Sequence, residues 1–179
     1  DIGKIEKAQY YSENQMPSLS KHDELTPSMS KLVIMNHVRE GAELAKRYGL
    51  NPRIIDFILR HHGTSLVYYF YRRALENLEQ DQEVKEEGFR YPGPKPNSKE
   101  TAIVLLADSV EAACRSIKTP TPTTIEEVVH KVINNKFIDG QLDECDLTLR
   151  DLERIACVFI RILGGIYHPR ITYPEPRPS

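Results

Sequence analysis

The sequence has 179 residues, of which 40% are hydrophobic and 28% are charged, a balance typical of one globular domain with a sizeable core. The formal net charge is −2, so no overall attraction to a nucleic acid polymer or an anionic membrane is implied. No apolar run approaches the roughly 20 residues that a membrane-spanning helix needs. The cysteines, Cys114, Cys145 and Cys157, are odd in number and lack a CxxC spacing, which favours reduced thiols.

The first third of the chain predicts a loop followed by two helices. Residues 5–28 are polar, contain two prolines and predict a loop with short turns. A helix is predicted over residues 29–48, with Gly49 as its stop signal. Asn51 is the expected N-cap of the next helix, which has proline at its first position. That apolar helix continues into the doublet His61-His62.

The middle of the chain predicts an aromatic segment, a loop and a long helix. Residues 65–87 begin as an aromatic helical stretch and become strongly charged. Residues 89–96 contain three prolines and cannot continue a helix, so they predict a loop. Ser98 is the expected N-cap of a helix over residues 99–117, and this helix carries Asp108.

The last third predicts two further helices. Thr124, with a glutamate three residues later, has the pattern of a capping box for a helix over residues 125–137. Thr148 is the corresponding start for a helix over residues 149–163, which Gly164-Gly165 is expected to close.

These elements predict an all-α fold of five or six substantial helices. Alternating runs rich in valine and isoleucine, which would indicate a sheet, are absent from the sequence. Residues 1–179 are predicted to form one domain, with residues 166–179 as a proline-rich surface tail.

A scattered set of histidines and aspartates is the main functional signal. Taken singly, a histidine such as His37 is more often a hydrogen-bonded core residue, and the doublet His61-His62 suits a helix C-terminus. Asp108 follows an apolar run, and burial of a carboxylate there is costly without a cation. Together with Asp1, these imidazoles and carboxylates on helices predict a divalent metal site.

Motifs spread over nearly the whole chain carry a resemblance to one family. They are the segments 1–4 (DIGK), 36–41 (NHVREG), 56–58 (DFI), 61–63 (HHG), 69–71 (YFY), 89–96 (FRYPGPKP), 107–113 (ADSVEAA), and 139–142 (DGQL) with 144–149 (ECDLTL). The chain resembles the cytoplasmic HD domains of the seven-transmembrane HD receptors, the PgpH-type cyclic-di-AMP phosphodiesterases. The proline-rich motif and the last motif are specific to this family rather than to HD proteins in general.

The resemblance implies an HD-domain helical bundle that holds two divalent transition metals, manganese or iron. Carried over by position, the metal ligands are Asp1, as the bridging carboxylate, with His37, His61, His62 and Asp108. The family pattern also has a histidine immediately before Asp1 and another farther upstream. Neither is in this sequence, so the HD motif is cut at the N-terminus. We expect at least one weakened metal site and low or no activity for this chain by itself.

The activity that the resemblance implies is hydrolysis of cyclic di-AMP to linear pApA, by attack of a metal-activated hydroxide on phosphorus. Asp1 and Lys4 are the expected catalytic residues. Lys4 lies one turn after Asp1 and would hold a phosphate, unless it is an ordinary surface lysine. Arg115, two turns after Asp108, would either bind phosphate or pair with Glu111, and the pairing is favoured.

Two other functions stay open, namely an HD hydrolase of another nucleotide and a non-catalytic nucleotide-binding signalling module. The segment after the histidine doublet lacks the Gly-Tyr-Pro signature of the cyclic-di-GMP subgroup. Every internal ligand position is filled, which argues against a non-catalytic module. The resemblance also implies the cytoplasmic domain of a membrane-anchored protein, and a homodimer stays open.

Two further features have competing interpretations. His22-Asp23 spells an HD pair, but it lies in a polar segment between prolines, and the resemblance aligns the HD aspartate with Asp1 instead. The aromatic residues 68–71 either stack on an adenine or belong to the core, and the core is favoured because helical aromatic residues are usually buried.

Overall fold

The structure is a computed structural model and describes residues 1–11, 22, 25–77 and 83–167. Within these ranges the α-helices are α1 (Pro27–Arg47), α2 (Pro52–Arg60), α3 (Tyr68–Glu76), α4 (Lys99–Arg115), α5 (Pro122–Ile138) and α6 (Leu149–Ile166). Two 3-10 segments, Ile2–Tyr10 and Glu86–Phe89, accompany them, and the same residues contain no β-strand beyond one isolated bridge. The prediction of an all-α fold is therefore confirmed.

Polar side chains set the beginnings of several helices where the sequence predicts them. Asn51, Ser98 and Thr148 are the N-caps of α2, α4 and α6. Each side-chain oxygen accepts a hydrogen bond from a backbone N–H of the first turn, at 2.9 to 3.2 Å. Gly49 follows the end of α1 with φ of +66°, as expected for a glycine that stops a helix.

Two predicted helix boundaries are wrong, namely the beginning of α5 and the end of α6. α5 begins three residues earlier than predicted because Thr121, not Thr124, is its N-cap. Thr121 Oγ1 accepts a hydrogen bond from the backbone N–H of Thr124 at 3.2 Å. α6 does not stop at Gly164 and Gly165 but continues to Ile166, since glycine ends a helix only where the chain turns to positive φ.

The N-terminal segment differs from the predicted loop because it packs against α1. Residues Ile2–Tyr10 form a 3-10 segment with a kink at Lys7. Gly3 lies so close to α1 that a Cβ atom there would be 2.0 Å from the carbonyl oxygen of His37. This tertiary contact, which local sequence patterns do not contain, orders the segment and holds Asp1 beside α1.

Parts of three predicted segments lie outside the described residues. They are residues 12–21 and 23–24 of the predicted loop, residues 78–82 after the aromatic helix, and residues 168–179 of the predicted tail. Ile166, assigned to the tail by the sequence, belongs to α6.

The described helices form two hydrophobic cores. The larger core joins α4, α5 and α6 and includes the buried residues Leu105, Leu106, Val110, Cys114, Ile125, Val129, Ile133, Leu152 and Ala156. The smaller core joins α1 and α2 through Ala42, Ala45 and Ile58. Because α4 contacts both α2 and α5, it connects the two cores and carries Asp108 to their junction. No helix within the described residues is long and apolar enough to cross a membrane.

Candidate metal centre

Four of the predicted metal ligands converge at this junction. Asp1, His37, His61 and His62 each offer one ligand atom, and these atoms all lie within 4.8 Å of one another. His37 comes from the middle of α1 and His61 from the C-cap of α2, with His62 directly after it. His37 is 1% exposed and His61 is 6% exposed, so these two ligands on α1 and at the end of α2 are shielded from solvent.

The backbone fixes the orientation of two of the imidazole rings. His37 Nδ1 contacts the carbonyl oxygen of Ile34, and His61 Nδ1 lies 2.8 Å from that of Ile58. Because a carbonyl oxygen only accepts hydrogen bonds, each Nδ1 carries the proton and each Nε2 presents a lone pair. The two Nε2 atoms lie 3.2 Å apart, and Asp1 Oδ1 is 3.6 Å from both.

This donor set fits a divalent cation. Two neutral imidazoles with facing lone pairs repel each other, and a carboxylate oxygen beside them adds a third electron-rich atom. Nitrogen ligands about 2.0–2.1 Å from a metal are separated by roughly 2.9–3.4 Å at ligand–metal–ligand angles of about 90–110°. The observed separation of 3.2 Å between the Nε2 atoms lies within that range.

Burial keeps the histidines in the protonation state that metals bind. It lowers the pKa of His37 to about 3 and that of His62 to about 4, and it also lowers the pKa of His61. All three imidazoles are therefore neutral at pH 7, and no proton has to leave before a metal binds.

Asp108 lies beside the group of four rather than within it. Its Oδ2 atom is 3.3 Å from His62 Nδ1. Burial by itself would raise the pKa of Asp108, but the contact with His62 outweighs it and holds the pKa below its usual value. The ring of Tyr91 stacks on the ring of His62, with centroids 4.4 Å apart. Asp108 and Tyr91 together fix the plane of the His62 ring.

The predicted phosphate-binding residues line a small cleft of about 190 Å³ next to the metal centre. Lys4 Nζ lies 3.1 Å from Asp1 Oδ2 and 5.4 Å from the ring centroid of Tyr11. Arg115 forms the favoured pair with Glu111, with its guanidinium 2.7 Å from both carboxylate oxygens. Both cations border the cleft that His37, His62 and Asp108 also line.

A second and larger cleft, of about 750 Å³, opens on the other side of His62 and Asp108. Tyr68, Tyr91 and Lys136 line it, and sequence reasoning assigned none of them to the metal site. The one feature of the sequence that could have indicated Tyr91 is its position in the proline-rich motif. No feature of the sequence indicates Lys136, because a lysine on a helix normally faces solvent.

The aromatic run divides between core and surface. Phe70 is buried, as favoured by the sequence, whereas Tyr68 and Tyr69 are 63% and 64% exposed. The core interpretation is therefore wrong for these two tyrosines, and Tyr68 stands at the rim of the larger cleft.

His22 takes no part in the group of metal-ligand atoms. It is buried, its Nε2 atom lies 2.6 Å from the carbonyl oxygen of Tyr10, and its ring packs against Phe70. Asp23 lies outside the described residues.

The segment after the histidine doublet is held by a buried polar network. Gln141 Oε1 accepts a hydrogen bond from Thr64 N at 2.8 Å, and Gln141 Nε2 donates to Thr64 Oγ1 and Asp139 Oδ2, both at 2.9 Å. Arg90 donates to Thr64 O at 3.0 Å and to both carboxylate oxygens of Asp139. The proline-rich motif and the segment 139–142 thus meet directly behind His62.

Comparisons with known proteins agree with this geometry. The family model described as HD domain matches residues 1–113. Cyclic-di-AMP phosphodiesterase PgpH of Bacillus subtilis is 47% identical over 98% of this chain, and PgpH of Listeria monocytogenes is 45% identical over 98%. The chain spans 24% of the length of each of these relatives.

A solved structure is equally similar. The crystal structure of the L. monocytogenes PgpH HD domain in complex with cyclic di-AMP superposes with a TM-score of 0.88 at 45% identity. The match covers 97% of this chain and 78% of that one. The chain therefore belongs to the HD-domain family, and within it to the group of the PgpH HD domains, as its sequence motifs indicated.

Proposed function

We propose that this chain is the catalytic domain of a metal-dependent phosphodiesterase that hydrolyses cyclic di-AMP to linear pApA. The observation that carries the proposal is the set of facing lone pairs of His37 and His61 beside Asp1, which suits a metal and little else. The names of the relatives and the cyclic di-AMP in the solved PgpH complex support the substrate.

We assign the metal ligands to Asp1, His37, His61, His62 and Asp108, and the metals to two manganese or iron ions. When bound, such a pair of ions activates a water molecule for attack on phosphorus and offsets the charge of the phosphoryl oxygens. The short contact between His62 and Asp108 supports including the carboxylate of α4 in this set.

Lys4 and Arg115 are assigned to the substrate phosphate. Lys4 touches Asp1, so its ammonium group orients that carboxylate and stands at the edge of the small cleft. Arg115 uses its pair with Glu111 to hold a guanidinium at the same edge. A phosphate that enters between them gains charge-assisted hydrogen bonds.

The same proposal places the domain on the cytoplasmic side of a membrane-anchored protein. The support is that the PgpH relatives are about four times as long as this chain. Membrane fractionation of cells that express the natural full-length protein tests the membrane anchoring: the protein is expected in the membrane pellet, and recovery in the supernatant would contradict it.

The activity test uses the natural full-length protein with manganese and compares cyclic di-AMP, cyclic di-GMP and linear pApA as substrates. We expect pApA to accumulate from cyclic di-AMP and the reaction to stop with a chelator. Faster turnover of cyclic di-GMP would instead support an HD hydrolase of another nucleotide. Binding of cyclic di-AMP without turnover in the metal-loaded protein would support a signalling module.

A further inference from the structure

Lys136 projects from α5 into the larger cleft beside the metal centre. Its Nζ atom donates a hydrogen bond to Ser65 Oγ at 2.6 Å. Ser65 is itself buried and lies three residues after His62, so the lysine is tied to the segment that carries the histidine doublet. His62, Asp108 and Lys136 line the same space of about 750 Å³, a volume typical of small-molecule sites.

The ammonium group of Lys136 has no carboxylate partner within the described residues. The two carboxylates whose charges reach it are both engaged by other groups. Asp139 receives hydrogen bonds from Arg90 and Gln141, and Asp108 contacts His62. An ammonium group has three protons, and among the described residues only the proton donated to Ser65 has an acceptor.

This arrangement leaves the charge of Lys136 partly desolvated and open to an anion that enters the cleft. Partial burial lowers the pKa of Lys136, because part of its side chain is removed from water. Lys136 is only partly buried, and a partly desolvated cation without a carboxylate partner that lines a cleft is characteristic of a binding site rather than of a structural core. The ligand that suits the position is an anion with several acceptor oxygens.

A cyclic dinucleotide has two phosphodiester groups, and only one of them is opened in its conversion to a linear dinucleotide. We propose that Lys136 binds the phosphodiester that is not hydrolysed, while the metal centre holds the one that is. This inference rests on the proposed function, because it needs a substrate with a second phosphate. The larger cleft would then hold the half of the substrate with the phosphodiester that stays intact, and the small cleft at Lys4 the half with the phosphodiester that is hydrolysed.

The test compares a substrate that has two phosphates with one that has a single phosphate. Steady-state kinetics are measured in the natural full-length protein with cyclic di-AMP and with bis(p-nitrophenyl) phosphate. Lys136→Gln removes the charge but retains a donor for Ser65, and Lys136→Met serves as a second neutral variant. Lys131→Gln is the matched control, since Lys131 is exposed on the same helix and does not line the cleft.

We expect Lys136→Gln to raise KM for cyclic di-AMP about 10- to 100-fold, the loss typical of one charge-assisted hydrogen bond. Its kcat/KM for bis(p-nitrophenyl) phosphate and its thermal unfolding midpoint should match those of the unchanged protein. Lys131→Gln should behave normally with both substrates, and Lys136→Arg should recover part of the lost affinity.

An unchanged KM for cyclic di-AMP in both neutral variants would overturn the role of Lys136 while leaving the phosphodiesterase activity intact. An equal loss with both substrates would also overturn it, because the lysine would then act through the metal centre. If the unchanged protein hydrolyses bis(p-nitrophenyl) phosphate but not cyclic di-AMP, the proposed function fails, and this inference fails with it.

Discussion

His37 Nε2 and His61 Nε2 face each other at 3.2 Å, and neither nitrogen has a proton to donate to the other. Each ring contacts the carbonyl oxygen three residues earlier in its own helix through Nδ1. The two helices thus fix both rings independently of any ligand. The site is pre-organised for a cation, so metal binding needs little rearrangement of the side chains.

Removing one of these rings should weaken metal binding. His61→Ala removes one of the four donors and leaves Asp1, His37 and His62, and losing a ligand or its support typically costs about 10- to 100-fold or more in metal affinity. Manganese affinity measured by calorimetry is the readout. His130→Ala is the control, because His130 lies on α5 and is absent from the group of metal-ligand atoms. Equal affinities for His61→Ala and His130→Ala would contradict the assignment.

The charge of Asp108 should matter more than its shape. Asp108→Asn keeps the size of the side chain but removes the carboxylate that contacts His62 Nδ1. We expect metal-dependent phosphodiesterase activity to fall by about 100-fold or more, since a carboxylate that orients or binds a metal is lost. Asp143→Asn, on an exposed residue paired with Lys95, should leave turnover unchanged. Normal turnover by Asp108→Asn would remove this residue from the site.

Local patterns predicted the elements that local chemistry determines. Asn51 and Ser98 cap their helices because a side-chain oxygen satisfies free backbone N–H groups within the same turn, which the sequence shows directly. The positions of Tyr91 and Lys136 depend on contacts across the fold. Tyr91 stacks on a histidine 29 positions earlier, and Lys136 reaches a serine 71 positions earlier. Such pairings become visible only when the loop that carries Tyr91 and the helix α5 are packed against the histidine segment.

The same limit explains the error at the end of α6. Gly164 was predicted to stop the helix because glycine is common after a helix C-terminus. A glycine imposes no turn by itself, however, and the packing against the larger core continues beyond Gly164 at the partly buried Tyr167. Packing of the helix therefore outweighed the local preference of one residue.

Acid should destabilise the metal-free protein through its buried histidines. The pKa of His37 is about 3 in the folded state against an ordinary value of 6.5 for histidine, so below pH 6.5 the unfolded chain binds a proton that the folded chain does not. The stabilisation is complete above pH 6.5 and decreases as the pH falls. At about 1.4 kcal/mol per pH unit, His37 accounts for a loss of about 2 kcal/mol between pH 6.5 and 5. The lowered pKa of His62 acts in the same direction.

Urea unfolding with a chelator at pH 7, 6 and 5 measures this dependence. The His37→Gln variant should show a smaller decrease in the free energy of unfolding over the same interval, because it has no imidazole to protonate at that position. A free energy of unfolding that stays constant from pH 7 to 5 would show that these histidines are not neutral and buried in the folded protein.

Two glycine substitutions should have opposite effects on stability. Gly63 follows the histidine doublet with φ of +54°, and a Cβ atom there would lie 2.5 Å from Gln141 Oε1 and 3.1 Å from Leu105 Cδ1. Gly63→Ala therefore combines backbone strain with a clash against the fully buried amide that holds the Thr64 backbone. We expect the free energy of unfolding to decrease by about 2 kcal/mol or more, and metal affinity to fall as His62 is displaced.

Gly164→Ala is the matched opposite case. A Cβ atom at Gly164 would meet no atom within 4 Å, and the residue lies inside α6 without positive φ. Alanine should stabilise the helix there by about 0.5–1 kcal/mol, because it loses less backbone entropy than glycine on folding. Chemical denaturation should show a lower free energy of unfolding for Gly63→Ala and a higher one for Gly164→Ala. Manganese titration separates the two variants further, since only Gly63→Ala should change metal binding. If Gly63→Ala were as stable as the unchanged protein, the histidine doublet would not be held in place by the left-handed turn at Gly63 and its contact with Gln141.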